Sequence, residues 1–425
     1  MRGEAGLINV RYASLVWQMR VMTGKTMPIL LLALTVSCEG HGRFALVEQA
    51  ATTPRSIASN PPQANASGES FERLRQRAHA AMDAERMPEA IKLYSQATKL
   101  RPNWTEGWWH LGTLLFDAKR FDEARDAFHG FLNAEKKQRG PGYAMLGLTE
   151  FELRQYEPAQ AALERSIKSG VGTDPSFVRN VLLHDGMLLA LLGKPEIALQ
   201  RLTLAANQIA AAHPEAPNSA VLADTELLDA LGVAALQTRA LPTDLDEARI
   251  QLVRQAGRAQ ALIAVQDRVA AAAEFQKLLS QFGAEAGVNY MYGVFLLKEH
   301  PSQAVGAFRR ELEVSPSHVP ARIQIALQSL ETAEYEEGLV FAKRAAELDP
   351  ANFVAHIACG RLYLALGKAD LALQEARAAA KLAPGSPDAH FILSRVLTEM
   401  GRNAEAKRER AEFERLKALS DATNR

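Results

Sequence analysis

The chain has 425 residues, of which 48% are hydrophobic and 23% are charged, as is usual for a globular protein. Lysine and arginine together number 49, as do aspartate and glutamate, so the net charge is zero and gives no sign of a nucleic-acid partner. The 2 cysteines cannot form a disulfide framework, and we see no cysteine or histidine cluster with metal-site spacing. We therefore expect neither a metal nor a cofactor.

The first predicted element is a secretion signal over residues 1–38. The apolar run MPILLLALTV (27–36) is too short to span a bilayer as a helix, which takes about 20 residues. It follows a basic segment that ends in Lys25 and precedes small residues, which is typical of a secretory signal. Because the basic segment is unusually long, we expect translation to start at Met19 or Met22.

Cys38 follows this run in the sequence LTVSC, which resembles a bacterial lipobox. Ser37 is the small residue that a lipobox needs, whereas Thr35 departs from the usual aliphatic residue. Cys38 is therefore the candidate lipidation site, and the alternative is cleavage near Ser37 or Gly40, which would release a soluble protein. Residues 39–70 are rich in Ala, Ser, Pro and Asn and predict a flexible tether. We expect export to the periplasm or cell envelope, with membrane attachment only through that lipid.

A repeat of about 34 residues fills the rest of the chain. Pro316, Pro350 and Pro384 follow one another at this interval, and each ends a similar phrase: RRELEVSP, KRAAELDP and RAAAKLAP. The clearest copy reads W-x2-L-G-x2-L from Trp108 to Leu115 and continues with an A-x3-F element. This pattern resembles the tetratricopeptide repeat. Similar copies occupy residues 71–104, 140–173, 179–212, 319–352, 353–386 and 387–420.

The resemblance implies that each copy is a pair of antiparallel helices, and that the pairs stack into a right-handed superhelical solenoid with a concave groove. The predicted fold class is all-α. Small residues such as Gly112 and Ala124 would let the helices approach closely, and Gly367 and Gly401 would end the first helix of a pair. The charged segment 406–419 is expected to cap the last repeat.

The middle of the chain is less regular. The segment ELLDALGVAAL predicts a first helix whose partner is hard to place, because ALPTDLDEAR (240–249) interrupts the pattern. The predicted organisation is N-terminal repeats over 71–212, irregular repeats over 213–285 and C-terminal repeats over 286–420. Residues 421–425 are predicted to form a disordered tail.

The chain carries none of the common catalytic or nucleotide-binding motifs, so we expect it not to be an enzyme. His356 and His390 hold the slot of Trp108 in later repeats and are interpreted as helix-packing residues with no carboxylate beside them. Cys359 is interpreted as a small buried hydrophobe.

The resemblance also predicts which residues line the groove, because ligands of such repeats usually contact the first helix of each pair. Trp108 is expected to belong to the core and its neighbour to face the groove. The predicted groove residues of the N-terminal half are Trp109, Thr113, Phe116, Leu148, Phe151, Leu183 and Met187. These apolar slots suit a peptide with hydrophobic anchors; the alternative is that a segment of the chain, such as the tether, covers them.

Arg361 and Arg395 hold equivalent groove slots in the C-terminal repeats. Two guanidinium groups on adjacent repeats could hold a carboxylate or phosphate. The alternative is that they form salt bridges with Glu399 or Glu331.

The predicted function is therefore a non-catalytic scaffold that binds a protein or peptide in its groove, within a complex for envelope assembly, secretion or maturation. Two alternatives stay open. One is an accessory of a transferase or peptidase that has activity of its own, and the other is a self-associating structural protein.

Overall fold

The structure, a computed structural model, describes residues 70–423, with side chains described as far as Leu419. These residues form 20 α-helices and a short 3₁₀ turn, and they contain no β-strand. The predicted all-α fold class is confirmed. In this part of the chain, no helix combines the length and the apolar character needed to cross a membrane. The predicted signal, Cys38 and nearly all of the tether lie outside the described residues.

The helices are numbered in chain order. The first seven are α1 (Phe71–Asp83), α2 (Met87–Leu100), α3 (Thr105–Asp117), α4 (Phe121–Ala134), α5 (Gly140–Glu152), α6 (Tyr156–Ser169) and α7 (Pro175–Leu191). The next six are α8 (Pro195–Ala212), α9 (Pro217–Ala223), α10 (Thr225–Ala235), α11 (Glu247–Ala264), α12 (Arg268–Phe282) and α13 (Val288–Leu296). The last seven are α14 (Pro301–Val314), α15 (Val319–Glu331), α16 (Tyr335–Leu348), α17 (Phe353–Ala365), α18 (Ala369–Leu382), α19 (Pro387–Glu399) and α20 (Asn403–Thr423).

The helices pack chiefly on their neighbours in the sequence. The chain divides after His184 into two compact units, a division that falls inside the predicted segment 71–212, and the predicted segment bounds stay a prediction. In the first unit, α1 packs on α2, α3 on α4 and α5 on α6, and each pair packs on the next. In the second unit, α13 to α20 repeat this order, and the first helices α15, α17 and α19 also contact one another. This is the nearest-neighbour packing of a repeat array.

The turn inside a helix pair places one residue in the left-handed region. Gly367 and Gly401 have φ of 70° and 72°, as predicted. The same position is held by Glu85, Lys119 and Ala333 in other pairs, with φ between 55° and 60°. Because these residues accept a steric cost that glycine avoids, the packing of the two helices must hold the turn in place.

Glycine sets the helix spacing at some crossings and not at others. A Cβ atom on Gly112 of α3 would lie 2.6 Å from the ring of Phe128, whose side chain is fully buried in α4. Gly360 of α17 holds the equivalent slot, yet a Cβ atom there would lie 3.6 Å from its nearest neighbours, in ordinary contact. The same sequence signal thus marks a tight crossing in one repeat and an open one in another.

The irregular middle segment contains a helix pair whose second member lies beyond the predicted break. The helix predicted from ELLDALGVAAL is α10, and it packs most extensively on α11. A Cβ atom on Gly232 of α10 would lie 1.8 Å from the Val253 carbonyl oxygen, and one on Gly257 of α11 would lie 1.8 Å from that of Leu228. The backbones of α10 and α11 therefore touch at two reciprocal glycines, which identifies the partner that the sequence left unplaced.

A buried polar cluster joins α13, α14 and the start of α15. The Glu311 carboxylate is fully buried and accepts hydrogen bonds from the backbone N–H groups of Gly287 (2.7 Å) and Tyr290 (3.1 Å). His318 caps α15, because its Nδ1 accepts a hydrogen bond from the Ala321 N–H (3.1 Å). Its ring lies 4.8 Å from that of Tyr290, and its Nε2 lies 4.0 Å from the Glu311 carboxylate. Burial disfavours the charged imidazolium and lowers the pKa of His318 to about 4.

The two glycines at equivalent slots predict opposite effects of the same substitution. Gly112→Ala should destabilise the protein by about 1–3 kcal/mol, because the new methyl group overlaps Phe128. Gly360→Ala should stabilise it by up to about 1 kcal/mol, because alanine favours helix and has room. Urea denaturation of the two variants measures the difference. Equal effects would show that the spacing at Gly112 relaxes freely.

The cap at His318 predicts a loss of stability in acid. The pKa of His318 is about 4 when folded and about 6.5 when unfolded, so between these values the unfolded chain binds the extra proton. The neutral His318 therefore contributes roughly 2–4 kcal/mol to the free energy of unfolding. This contribution is complete well above pH 6.5 and is lost as the pH falls towards 4. His318→Asn keeps a capping side chain without a titratable ring. Urea denaturation between pH 7.5 and 4.5 should therefore give a flatter pH dependence for the variant, and parallel curves would contradict the prediction.

Candidate binding surface on the first helices

Trp109 packs against the second helix of its own pair. Its ring centroid lies 6.1 Å from that of Phe128 and 5.2 Å from that of Phe131, both on α4. The side chain is half-buried, as is that of Trp108. Both tryptophan rings cover parts of α4, so their burial does not separate a core ring from a groove ring, and the groove-facing position of Trp109 stays a prediction.

Four of the predicted groove residues lie inside the packed array. Thr113, Phe116, Leu148 and Leu183 are exposed by 8%, 6%, 2% and 1%. The first helix α3 packs on α4 and also contacts the next first helix, α5, so side chains between them are covered. These four residues form part of the core and are not displayed on an open groove, and a role in binding a peptide stays a prediction for them.

Phe151 and Met187 are the remaining apolar members of the predicted groove, and both are half-buried. The Phe151 ring meets the His184 ring edge-on at a centroid distance of 4.9 Å and lies 6.1 Å from that of Tyr156. The apolar part of the predicted groove in the N-terminal half is therefore largely occupied by contacts within the protein.

The two predicted arginines are accessible. Arg361 is half-buried on α17, and Arg395 is exposed on α19. Within residues 70–419 neither forms the alternative salt bridge with Glu331 or Glu399. The Arg395 guanidinium lies 5.9 Å from the ring centroid of Phe391, which is 41% exposed. An apolar ring and two guanidinium groups thus stand at accessible first-helix positions of consecutive repeats.

The residues that hold the position of Trp108 in successive repeats make the same contact with a proline carbonyl oxygen. Trp108 Nε1–H donates to the carbonyl oxygen of Pro102, six residues earlier (2.8 Å). Arg322 donates to that of Pro316 in the same way. His356 Nε2 lies 3.1 Å from the Pro350 carbonyl oxygen, and His390 Nε2 lies 3.0 Å from that of Pro384. The recurring proline therefore supplies an acceptor for whichever ring or guanidinium N–H begins the next pair.

Each of these two histidines also contacts a carboxylate, which the sequence analysis missed. His356 Nδ1 lies 2.6 Å from Glu375, and His390 Nδ1 lies 2.7 Å from Glu409, in both cases on the second helix of the same pair. The identical spacing of 19 residues in both repeats is the signal that could have revealed the pairs. The histidines are packing residues as expected, but each ring also links the two helices of its pair through a polar contact.

A second group of polar side chains, which the sequence pattern did not reveal, lies in the first two helix pairs. His79 on α1 and Glu106 and His110 on α3 place their ligand atoms within 4.8 Å of one another. The expectation that the chain holds no metal stays a prediction, because proximity of the three side chains does not by itself show that an ion is bound. No short spacing in the sequence marks the group, because His79 and Glu106 lie 27 residues apart on helices of different pairs. Cys359, by contrast, is buried as expected and is exposed by 1%.

The packing of Trp109 predicts a structural cost for its removal. Trp109→Ala should destabilise the protein by about 2–4 kcal/mol, somewhat less than a fully buried tryptophan, because Phe128 and Phe131 lose a neighbour. Trp109→Phe keeps an aromatic ring and should cost less than half as much. Urea denaturation measures both values. A Trp109→Ala variant as stable as the wild type would contradict this cost and favour the groove-facing position.

Residues 75–142 and 358–416 match the family model for the tetratricopeptide repeat. No curated protein matches the sequence. The similar solved structures include a MamA RS-1 double mutant and a MamA fragment from Desulfovibrio magneticus RS-1, both 16% identical, covering 40% of this chain and 97% of theirs at a TM-score of 0.37. A crystal structure of MamA is 14% identical and covers 39% of this chain and 96% of its own at a TM-score of 0.35. The two matched segments of the chain are therefore similar in sequence to tetratricopeptide repeats.

Proposed function

We propose that the chain is a non-catalytic scaffold that binds a segment of a partner protein through the first helices of its C-terminal repeats. Two segments match the tetratricopeptide repeat, and stacked helix pairs of this kind offer extended surfaces for partner proteins. The proposal includes export to the cell envelope with a lipid on Cys38, which rests on the sequence of residues 27–38 alone.

The observation that carries the proposal is the accessible arginine pair. Arg361 and Arg395 hold the same slot in consecutive repeats, and neither guanidinium is taken up by Glu331 or Glu399 among the residues described. A guanidinium group presents two parallel N–H donors that match a carboxylate. Such charge-assisted hydrogen bonds contribute about 1.5–3 kcal/mol each when they are desolvated on binding.

The exposed ring of Phe391 adds an apolar contact beside Arg395. Most large hydrophobic side chains of the second unit are buried, whereas Phe391 is 41% exposed on the same face of α19 as Arg395, four residues later. Phenylalanine and arginine are both enriched in protein–protein interfaces relative to the rest of the protein surface. The proposed ligand is therefore a protein segment that carries a carboxylate and an adjacent apolar side chain.

The proposal predicts that partner capture depends on the arginine pair. Wild-type protein, R361E/R395E and R408E/R410E should be used as baits on membrane-solubilised cells, with quantitative mass spectrometry of the recovered proteins. The control changes two exposed arginines of α20 and alters the net charge equally. R361E/R395E should recover the specific partner at least about tenfold less, which corresponds to the loss of one charge-assisted hydrogen bond.

Two outcomes would contradict the proposal. Equal recovery with all three baits would place the binding surface elsewhere. An equal loss with R408E/R410E would show that only net charge matters. Circular dichroism of the three proteins checks that the helix content is unchanged.

A further inference from the structure

The group formed by His79, Glu106 and His110, called here the His–Glu–His group, joins the first two helix pairs. Glu106 and His110 lie one helical turn apart on α3, with 3.9 Å between a Glu106 carboxylate oxygen and His110 Nε2. His79 reaches them from α1, and its ring lies 5.8 Å from that of His110 at an angle of 86°. All three side chains are half-buried.

Aromatic neighbours hold the two imidazole rings in place. The Tyr94 hydroxyl lies 3.1 Å from His79 Nδ1, and the Tyr94 side chain is fully buried in α2. Its ring centroid is 5.7 Å from that of His79 and 5.3 Å from that of His110. The ring centroid of Trp104 lies 6.1 Å from that of His79. A hydrogen bond to the second ring nitrogen is the usual means by which a protein orients a metal-binding histidine.

Two imidazoles and a carboxylate form a donor set for a divalent transition metal. Zinc uses three such protein ligands at sites that keep a fourth position open, whereas calcium and magnesium prefer oxygen ligands alone. With bond lengths of about 2.0–2.1 Å, the ligand atoms of a tetrahedral site lie about 3.3–3.5 Å apart. The ligand atoms here lie within 4.8 Å of one another, so movements of about an ångström would complete the site.

We infer that His79 through Nε2, Glu106 through its carboxylate and His110 through Nε2 bind one divalent transition metal ion, for which zinc suits the donor set best. The metal would bridge α1 and α3 and so tie the first helix pair to the second. Its open coordination position would accept water or a donor atom of a ligand. This site is independent of the arginine pair proposed to bind a partner.

The test is metal binding by the untagged full-length chain after treatment with a chelator. Calorimetric titration with zinc chloride should show a saturable site of one ion per chain. Titration with cobalt chloride should produce the strong visible absorption of a four-coordinate Co²⁺ ion, which reports on the ligand geometry directly. H79Q/H110Q should weaken zinc binding at least 100-fold and abolish the cobalt spectrum, because even loss of an outer hydrogen-bond partner costs about 10–100-fold.

A matched control is available at a second histidine–glutamate pair. His213 and Glu215 lie 3.8 Å apart at exposed positions of the second unit and lack a third ligand within the described residues. H213Q/E215Q should therefore bind zinc and cobalt as the wild type does.

A further variant keeps the inference testable if H79Q/H110Q fails to fold. Glu106 is 41% exposed, so E106Q should fold even if H79Q/H110Q does not, and it should weaken zinc binding and change the cobalt spectrum. Zinc should raise the melting temperature of the wild type and of H213Q/E215Q more than that of E106Q. The inference is overturned if the wild type shows no saturable site, or if folded E106Q or H79Q/H110Q binds zinc and cobalt as the wild type does.

Discussion

The close approach of paired helices at small side chains is the constraint on which the rest of this structure depends. Ala124, Ala159 and Ala372 are fully buried at equivalent positions of the second helices, and Gly232 and Gly257 bring two backbones into contact. A larger side chain at such a crossing would separate the helices and expose the apolar stripe that each pair buries against the next. The turn residues follow from the same constraint, since Lys119 and Ala333 accept a left-handed conformation where other pairs have glycine.

This packing also decides which first-helix residues remain accessible. Apolar side chains such as Leu148 and Leu183 are short and compact, and the neighbouring helices cover them completely. Arginine has a long stem that can lie along an apolar surface while its charged end stays in water. Arg361 and Arg395 therefore remain available at the slots where leucine and threonine are buried in earlier repeats. Accessible side chains at the predicted binding positions therefore lie in the C-terminal repeats, whereas those of the N-terminal repeats are largely covered.

The repeat period places the same polar contacts at equivalent positions of successive helix pairs. The proline carbonyl that closes one pair accepts a hydrogen bond from the first helix of the next, whether the donor is Trp108, Arg322 or a histidine. Where that residue is His356 or His390, a glutamate 19 residues later completes a contact between helices.

The sequence by itself determined the helix pairs, their order, the glycine turns at Gly367 and Gly401 and the small residues at the crossings, because each of these follows from a local period. It did not determine the partner of α10, because the 3₁₀ turn at Pro242–Asp244 interrupts the period and only the reciprocal glycines show the pairing. Nor did it determine the burial of Phe116 and Leu148, since a helix period shows which face is apolar and not how much of that face a neighbour covers. The meeting of His79 with Glu106 and His110 was likewise decided by the tertiary structure, because it requires two first helices from different pairs to lie side by side.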